Sequence, residues 1–167
     1  MSIFDIPRLA ELGIVASMQP LHATEDMNFA EARIGERVKY GYLWSDLLDL
    51  GVVVASGTDF SVSPYNPFYT LHAAVTMQDR KNNPPGGWIP EQRMTREEAL
   101  RAATIAGAYT MFAEDILGSI EVGKLADFVV IPVDYMTIPA EDIWKIKPDM
   151  TVIGGETVYT KPASAIK

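Results

Sequence analysis

Apolar positions along this chain fall into short unbroken runs, separated by stretches with helical spacing. Residues 6–13 predict a short helix, with Pro7 near its start, Gly13 just past its end and Asp5 placed to cap it. The run Ile14-Val15-Ala16-Ser17-Met18 reads as a buried strand, and Gln19-Pro20-Leu21-His22 leaves it as a loop. Residues 24–35 are polar and show no clear period. Tyr40, Leu43, Leu47 and Leu50 recur at spacings of three and four, and Gly51 stops that helix. Val52-Val53-Val54-Ala55-Ser56 is apolar on both faces, as a central parallel strand requires, and Gly57-Thr58-Asp59 breaks it. The opening third therefore alternates helix, strand, helix, strand with short connections, an α/β pattern.

Pro64 and Pro67 mark residues 61–67 as a loop, and Phe68, Leu71 and Val75 share one face of a helix over 68–77. The Asn-, Pro- and Gly-rich segment 81–87 excludes regular structure. Thr95 followed by Glu98 is a capping box. The helix it opens carries Leu100, Ala103, Gly107 and Met111 on one predicted stripe, and small residues at 102, 103 and 106–108 predict close packing. After Glu114 the character changes. Residues 118–124 are turn-rich, 126–132 read as a strand that Pro132 ends, and 149–159 read as two strands around Gly154-Gly155. The division expected is an α/β region over 1–112 and a β-rich, mostly antiparallel region over 113–167.

Composition narrows the classes. The chain has 167 residues, 48% hydrophobic and 22% charged, which is ordinary globular usage and long enough for a real core. No apolar run approaches the roughly 20 residues of a membrane helix, so no membrane association is expected. Asp plus Glu is 22 against Lys plus Arg 14, a net charge of −8 that repels phosphate backbones, so no nucleic-acid partner is expected. With no cysteine, disulfide scaffolds and thiol chemistry are excluded; no signal peptide is visible, and the default compartment is cytoplasmic.

Few residues offer chemistry. Asp59 follows a buried strand and a Gly, at the strand end where parallel α/β folds place ligands. Such a carboxylate binds a metal or takes a proton from water, or it simply caps the next turn. His22 lies past the end of the other strand and faces the same rim or solvent. His72 falls mid-helix, where packing or a surface role is expected. Two histidines do not make the three protein ligands of a catalytic zinc site. Trp88, Phe60, Tyr65, Phe68 and Tyr69 line an apolar pocket beside Asp59 or serve as core and lid packing.

Taken together, Ser17-Met18-Gln19-Pro20-Leu21-His22, Gly57-Thr58-Asp59-Phe60-Ser61-Val62, residues 94–100, Ala106-Gly107-Ala108-Tyr109 and residues 118–130 (Gly-Ser-Ile-Glu-Val-Gly-Lys-Leu-Ala-Asp-Phe-Val-Val) resemble the C-terminal third of a metal-dependent amidohydrolase. The similarity is to the amidohydrolase-3 branch, which includes N-substituted formamide deformylase-like proteins and some exoenzyme regulatory proteins. It implies an α/β fold: the last two β/α units of a TIM-barrel metallo-hydrolase plus the C-terminal strands of a small composite β-sandwich. On that resemblance residues 14–18 are barrel strand seven and residues 52–56 strand eight. Asp59 becomes the catalytic aspartate and metal ligand, and Gln19, His22 and Phe60 become substrate-side residues.

The resemblance also implies what this chain does not supply. The family's HxH pair, its bridging Lys or Glu and its strand-five and strand-six histidines have no counterpart in this sequence, and a whole barrel takes about 250 residues. The expectation is a C-terminal fragment of a hydrolase acting on carbon–nitrogen, non-peptide amide-type bonds of a small-molecule substrate. The parent would use a divalent metal, zinc by expectation, with none bound by this chain alone and the fragment inactive. Two alternatives stand beside it: a non-catalytic α/β domain that binds a ligand or partner in a regulatory role, and a short protein that forms a homodimer through exposed strand edges.

Overall fold

The computed structural model describes residues 4–163. Two parallel strands lie at its centre, β1 (Ala16–Met18) and β2 (Val54–Ser56), paired Ala16 to Val54, Ser17 to Ala55 and Met18 to Ser56. Both are shorter than their apolar runs. Ile14 is half-exposed and lies outside the ladder, while the Gly57 N–H extends the ladder by bonding the Met18 carbonyl at 3.0 Å. Because Met18 lies opposite Ser56, both strands end at one level, and the segments that follow them share one rim.

Helix α1 (Ile6–Glu11) precedes β1. Asp5 does not cap it; its carboxylate pairs instead with Arg8 at 3.1 Å. The expected loop after β1 is in fact helix α2 (Pro20–Asp26). Proline at the first helical position has its φ already set and lacks an N–H that would have no partner there anyway. The apolar side of α2, Leu21 and Ala23, is buried with Thr24. The aperiodic segment continues as α3 (Ala30–Ile34) and a 3-10 turn Gly35–Tyr40. The next helix, α4 (Trp44–Asp49), starts later than its leucine spacing predicts. Tyr42 has φ +56, a left-handed backbone that no α-helix tolerates within it. From α4, Trp44 and Leu47 project into the core at 1% and 0% exposure.

Helix α5 (Pro67–Thr76) is the best-defined element. Asn66 caps it by accepting the Phe68 N–H at 3.0 Å, and Pro67 opens it. It packs against α2 on one side and the 3-10 turn Ala140–Lys145 on another, so it is buried nearly all round. His72 is therefore an interior residue, 1% exposed, whose Nε2 donates to Asn82 Oδ1 at 3.0 Å.

Thr95 and Glu98 form the expected capping box at the start of α6 (Arg96–Ala103). The single predicted helix breaks at Thr104 (φ −127, ψ −91) and resumes as α7 (Ile105–Thr110). The break shifts the buried face. Ala99, Ala102, Ala106 and Ala108 are buried, while Leu100 and Met111 of the predicted stripe are exposed. Both helices pack on β2, and the alanines permit that close approach.

Beyond α7 the turn at 118–124 closes on itself. Gly118 has φ +85, and a Cβ there would stand 2.7 Å from Ile105 Cα. Lys124 Nζ donates to the Glu114 carbonyl at 2.5 Å and to Ser119 Oγ at 2.7 Å. Asp127 Oδ1 accepts the Gly154 N–H at 2.6 Å, tying this segment to the hairpin. Strands β3 (Phe128–Val130), β4 (Met150–Ile153) and β5 (Glu156–Thr160) form an antiparallel sheet in the order β3-β4-β5, as expected from the Gly154-Gly155 turn. The intervening segment turns back: Tyr135, Ile143 and Ile146 join the core built by Trp44, Leu47, Phe68 and Leu71. Arg96 fastens it, donating to the Tyr135 and Ile138 carbonyls. Burial raises the Tyr135 phenol to about 12.

Two outcomes follow. Gly118→Ala should lose about 2 kcal/mol, from left-handed backbone strain plus the clash, read by urea unfolding; an unchanged midpoint would remove this turn from the fold's determinants. Burial also pushes the His72 pKa below its ordinary value of 6.5. The unfolded chain then binds a proton near pH 6.5 that the folded chain refuses, so stability present above that pH declines as pH falls below it. Thermal midpoints measured between pH 7.5 and 5.5 should drop, and His72→Gln should flatten the slope.

Candidate functional site

The rim formed by the ends of β1 and β2 brings two of the expected residues together. His22 sits in the first turn of α2, immediately after β1. Asp59 follows β2, in the turn that Gly57 opens. Their side chains face each other, with His22 Nε2 and Asp59 Oδ2 4.0 Å apart. That is ion-pair range, too long for a hydrogen bond. The Nε2 atom is covered and has no hydrogen-bond partner among the described residues, whereas the Asp59 side chain is 53% exposed.

Asp59 adopts φ +53, a left-handed conformation that Asp tolerates better than most residues. Its carbonyl accepts the Val62 N–H at 2.7 Å and the Ser63 N–H at 3.3 Å. The turn is thus closed by the backbone of Asp59, and the carboxylate is left to face His22. Asp59 does not act as a side-chain cap.

The other expected residues divide. Gln19 occupies the N-cap position of α2 but makes no side-chain cap bond. Phe60 is 69% exposed, its ring edge-on to Tyr65 at 5.9 Å. The aromatics do not form one pocket beside Asp59. Trp88 meets Tyr42 with tilted rings, centroids 5.3 Å apart, on the core side. Tyr65, Phe68 and Tyr69 line a cavity of about 560 Å³ against Ile146, Lys147 and Tyr159 of the C-terminal region.

Four supporting residues escape a reading that takes residues 19–22 as a loop. Once α2 is recognised, Glu25 and Asp26 lie three and four positions after His22, one turn along the same helix. Ser63 Oγ donates to Glu25 Oε2 at 3.4 Å, and Tyr42 Oη donates to Asp26 Oδ2 at 2.5 Å. Burial, with Asp26 as acceptor, holds the Tyr42 phenol well above the usual range. Pro20 at a helix start is the signal that would have revealed them.

Chemically, the rim offers one imidazole and one carboxylate, both good donors to a divalent cation. Among the described residues no group of three or more His, Asp or Glu side chains gathers to hold a metal. The pair fits one side of a metal site and falls short of the three protein ligands a catalytic zinc requires.

Residues 2–159 match the Amidohydrolase family. The chain is 34% identical over 157 residues to Protein LONG AFTER FAR-RED 3 of Arabidopsis thaliana, covering 91% of this chain and 26% of that protein. It is 27% identical over 157 residues to the putative amidohydrolase YtcJ of Bacillus subtilis (strain 168), covering 93% and 30%. An uncharacterized metal-dependent hydrolase from Pyrococcus furiosus superposes with a TM-score of 0.70 at 28% identity, over 82% of this chain and 27% of that one. The chain spans less than a third of the length of each of these proteins.

Removing the Tyr42 hydroxyl leaves the half-buried Asp26 carboxylate without its partner. Tyr42→Phe should therefore cost about 1–2 kcal/mol in urea unfolding, and no change would show that α2 is held elsewhere.

Proposed function

The chain belongs to the Amidohydrolase family, and from that premise we propose that it forms the C-terminal part of a metal-dependent hydrolase acting on amide-type carbon–nitrogen bonds. The observation that carries this reading is the meeting of His22 and Asp59 across the ends of two parallel strands, 4.0 Å apart. In parallel barrels the chemistry sits at the C-terminal rim. On this reading β1 and β2 are strands seven and eight of a (β/α)8 barrel, and residues 1–112 are its last two units.

Residues 113–167 then contribute the C-terminal strands of a composite sandwich. In support, the β3-β4-β5 sheet leaves Val129 and Ile153, which its register puts on one face, more than half exposed, at 51% and 56%. Such a sheet is suited to a second layer against one face. The remaining metal ligands and most of the substrate pocket belong to the rest of a longer protein, and the 167-residue chain alone is inactive. A divalent metal held in the parent, zinc by expectation, would supply the acidification of the attacking water.

Asp59 has two tasks in this account. Its carboxylate would be one of the groups that hold the metal. The carboxylate also accepts the proton of the attacking water and delivers it to the leaving nitrogen, which departs as an amine. Its exposure suits a group that must meet water and substrate. His22, whose covered Nε2 has no hydrogen-bond partner among the described residues, orients the substrate by hydrogen bonding, and Gln19 and exposed Phe60 are assigned to the substrate side with it. The small molecule cleaved is therefore expected to present a polar atom toward His22 and an apolar edge toward Phe60.

In a protein carrying this segment together with the rest of its barrel, Asp59→Asn should lower kcat for amide hydrolysis by at least a thousandfold, and His22→Ala should mainly raise KM. Full activity in Asp59→Asn with metal retained would contradict the assignment. The isolated chain should hold well below one divalent metal per molecule by elemental analysis, and tight stoichiometric zinc would contradict the shared-site account.

A further inference from the structure

Neither His22 nor Asp59 is held by its own side chain. The His22 Nε2 atom has no hydrogen-bond partner among the described residues, and the Asp59 carboxylate is more exposed than buried. The helix carrying His22 is only seven residues long and has no side-chain cap at its start. The separation of the two groups must therefore be set from elsewhere.

Ser63 is placed to set it. The residue is 2% exposed, and both its N–H and its hydroxyl are engaged. Its N–H bonds the Asp59 carbonyl at 3.3 Å, within the turn that aims the carboxylate. Its hydroxyl bonds Glu25 Oε2 at 3.4 Å, one helical turn along α2 from His22. One buried side chain thus joins the segment after β2 to the helix after β1. Asp26, the next residue on α2, is gripped from a third segment by Tyr42. The Tyr42 bond fixes α2 to the body of the fold, whereas among the described residues the Ser63–Glu25 bond is the one hydrogen bond between α2 and the Asp59 turn.

We propose that Ser63, acting through Glu25, is a positioning residue that sets the distance between His22 and Asp59. This inference rests on the reading of those two residues as the reactive rim. Without the link, α2 and the Asp59 turn remain folded but move independently. Glu25→Gln keeps an acceptor oxygen and should preserve the link, whereas Glu25→Ala removes it.

The test is a nuclear Overhauser measurement on this chain, reading geometry without turnover. Only His22 and His72 contribute imidazole signals. With labelled histidine, cross-peaks from the His22 ring to the Asp59 β-protons report the rim. Those from the His72 ring to the Asn82 side chain, in contact at 3.0 Å, report general integrity. Ser63→Ala and Glu25→Ala should weaken the rim cross-peak at least twofold and leave the His72 cross-peak unchanged, and Glu25→Gln should restore it. A rim cross-peak unaltered in both alanine variants would overturn the proposal, as would equal weakening of both cross-peaks. Glu25 lies on the surface, so its variants guard against a folding failure at buried Ser63. Because no catalysis is measured, this result and the hydrolase reading can fail separately.

Discussion

The parallel pairing of β1 with β2, in register to the last residue, is the constraint on which the rest depends. Met18 opposite Ser56 means that whatever follows each strand emerges at one level. A shift of even one residue would move Gly57 away from the Met18 carbonyl and carry Asp59 along the strand axis, away from α2. The ladder is short, and what secures it is packing: Val52 and Val54 lie among Trp44, Leu47 and Leu71, and α6 and α7 close over β2 through their alanines.

Much of this was legible in the sequence. Short apolar runs ended by Gly or by Gln-Pro marked the parallel strands, and the Thr95–Glu98 box marked the start of α6. Asp59 stood out as a carboxylate just past a buried strand and a glycine, although Asp in such a turn serves equally often as its cap. The errors have physical causes. Gln19-Pro20 reads as a loop when proline is taken as a breaker, but at the first helical position proline opens α2, and with it came Glu25 and Asp26. The leucine spacing from Tyr40 is helical in period, but left-handed Tyr42 prevents the helix from using it. The stripe through Leu100 and Met111 assumed one helix, and the irregular Thr104 rotates α7 away from it. No local pattern reports such breaks, because they are imposed by what the helices pack against.

The segment that carries the family resemblance most strongly, residues 118–130, has a structural role. Gly118 allows the turn to lie on α7, Lys124 ties that turn through the Glu114 carbonyl, and Asp127 accepts from the hairpin. None of these side chains reaches the rim. On the proposed reading the chemistry rests instead on sparse residues whose value depends on position: a histidine whose Nε2 has no hydrogen-bond partner among the described residues, a carboxylate in a left-handed turn, and a buried serine between their supports.

The central claim is that Asp59 forms part of a metal site completed by the rest of a barrel. It is tested most directly by replacing the matching C-terminal segment of the Bacillus subtilis relative with residues 1–167 and counting divalent metal by elemental analysis. The account predicts at least one metal per folded chimera with Asp59 in place and a clear loss of metal in the Asp59→Asn chimera. Equal metal content in the two folded chimeras would contradict it.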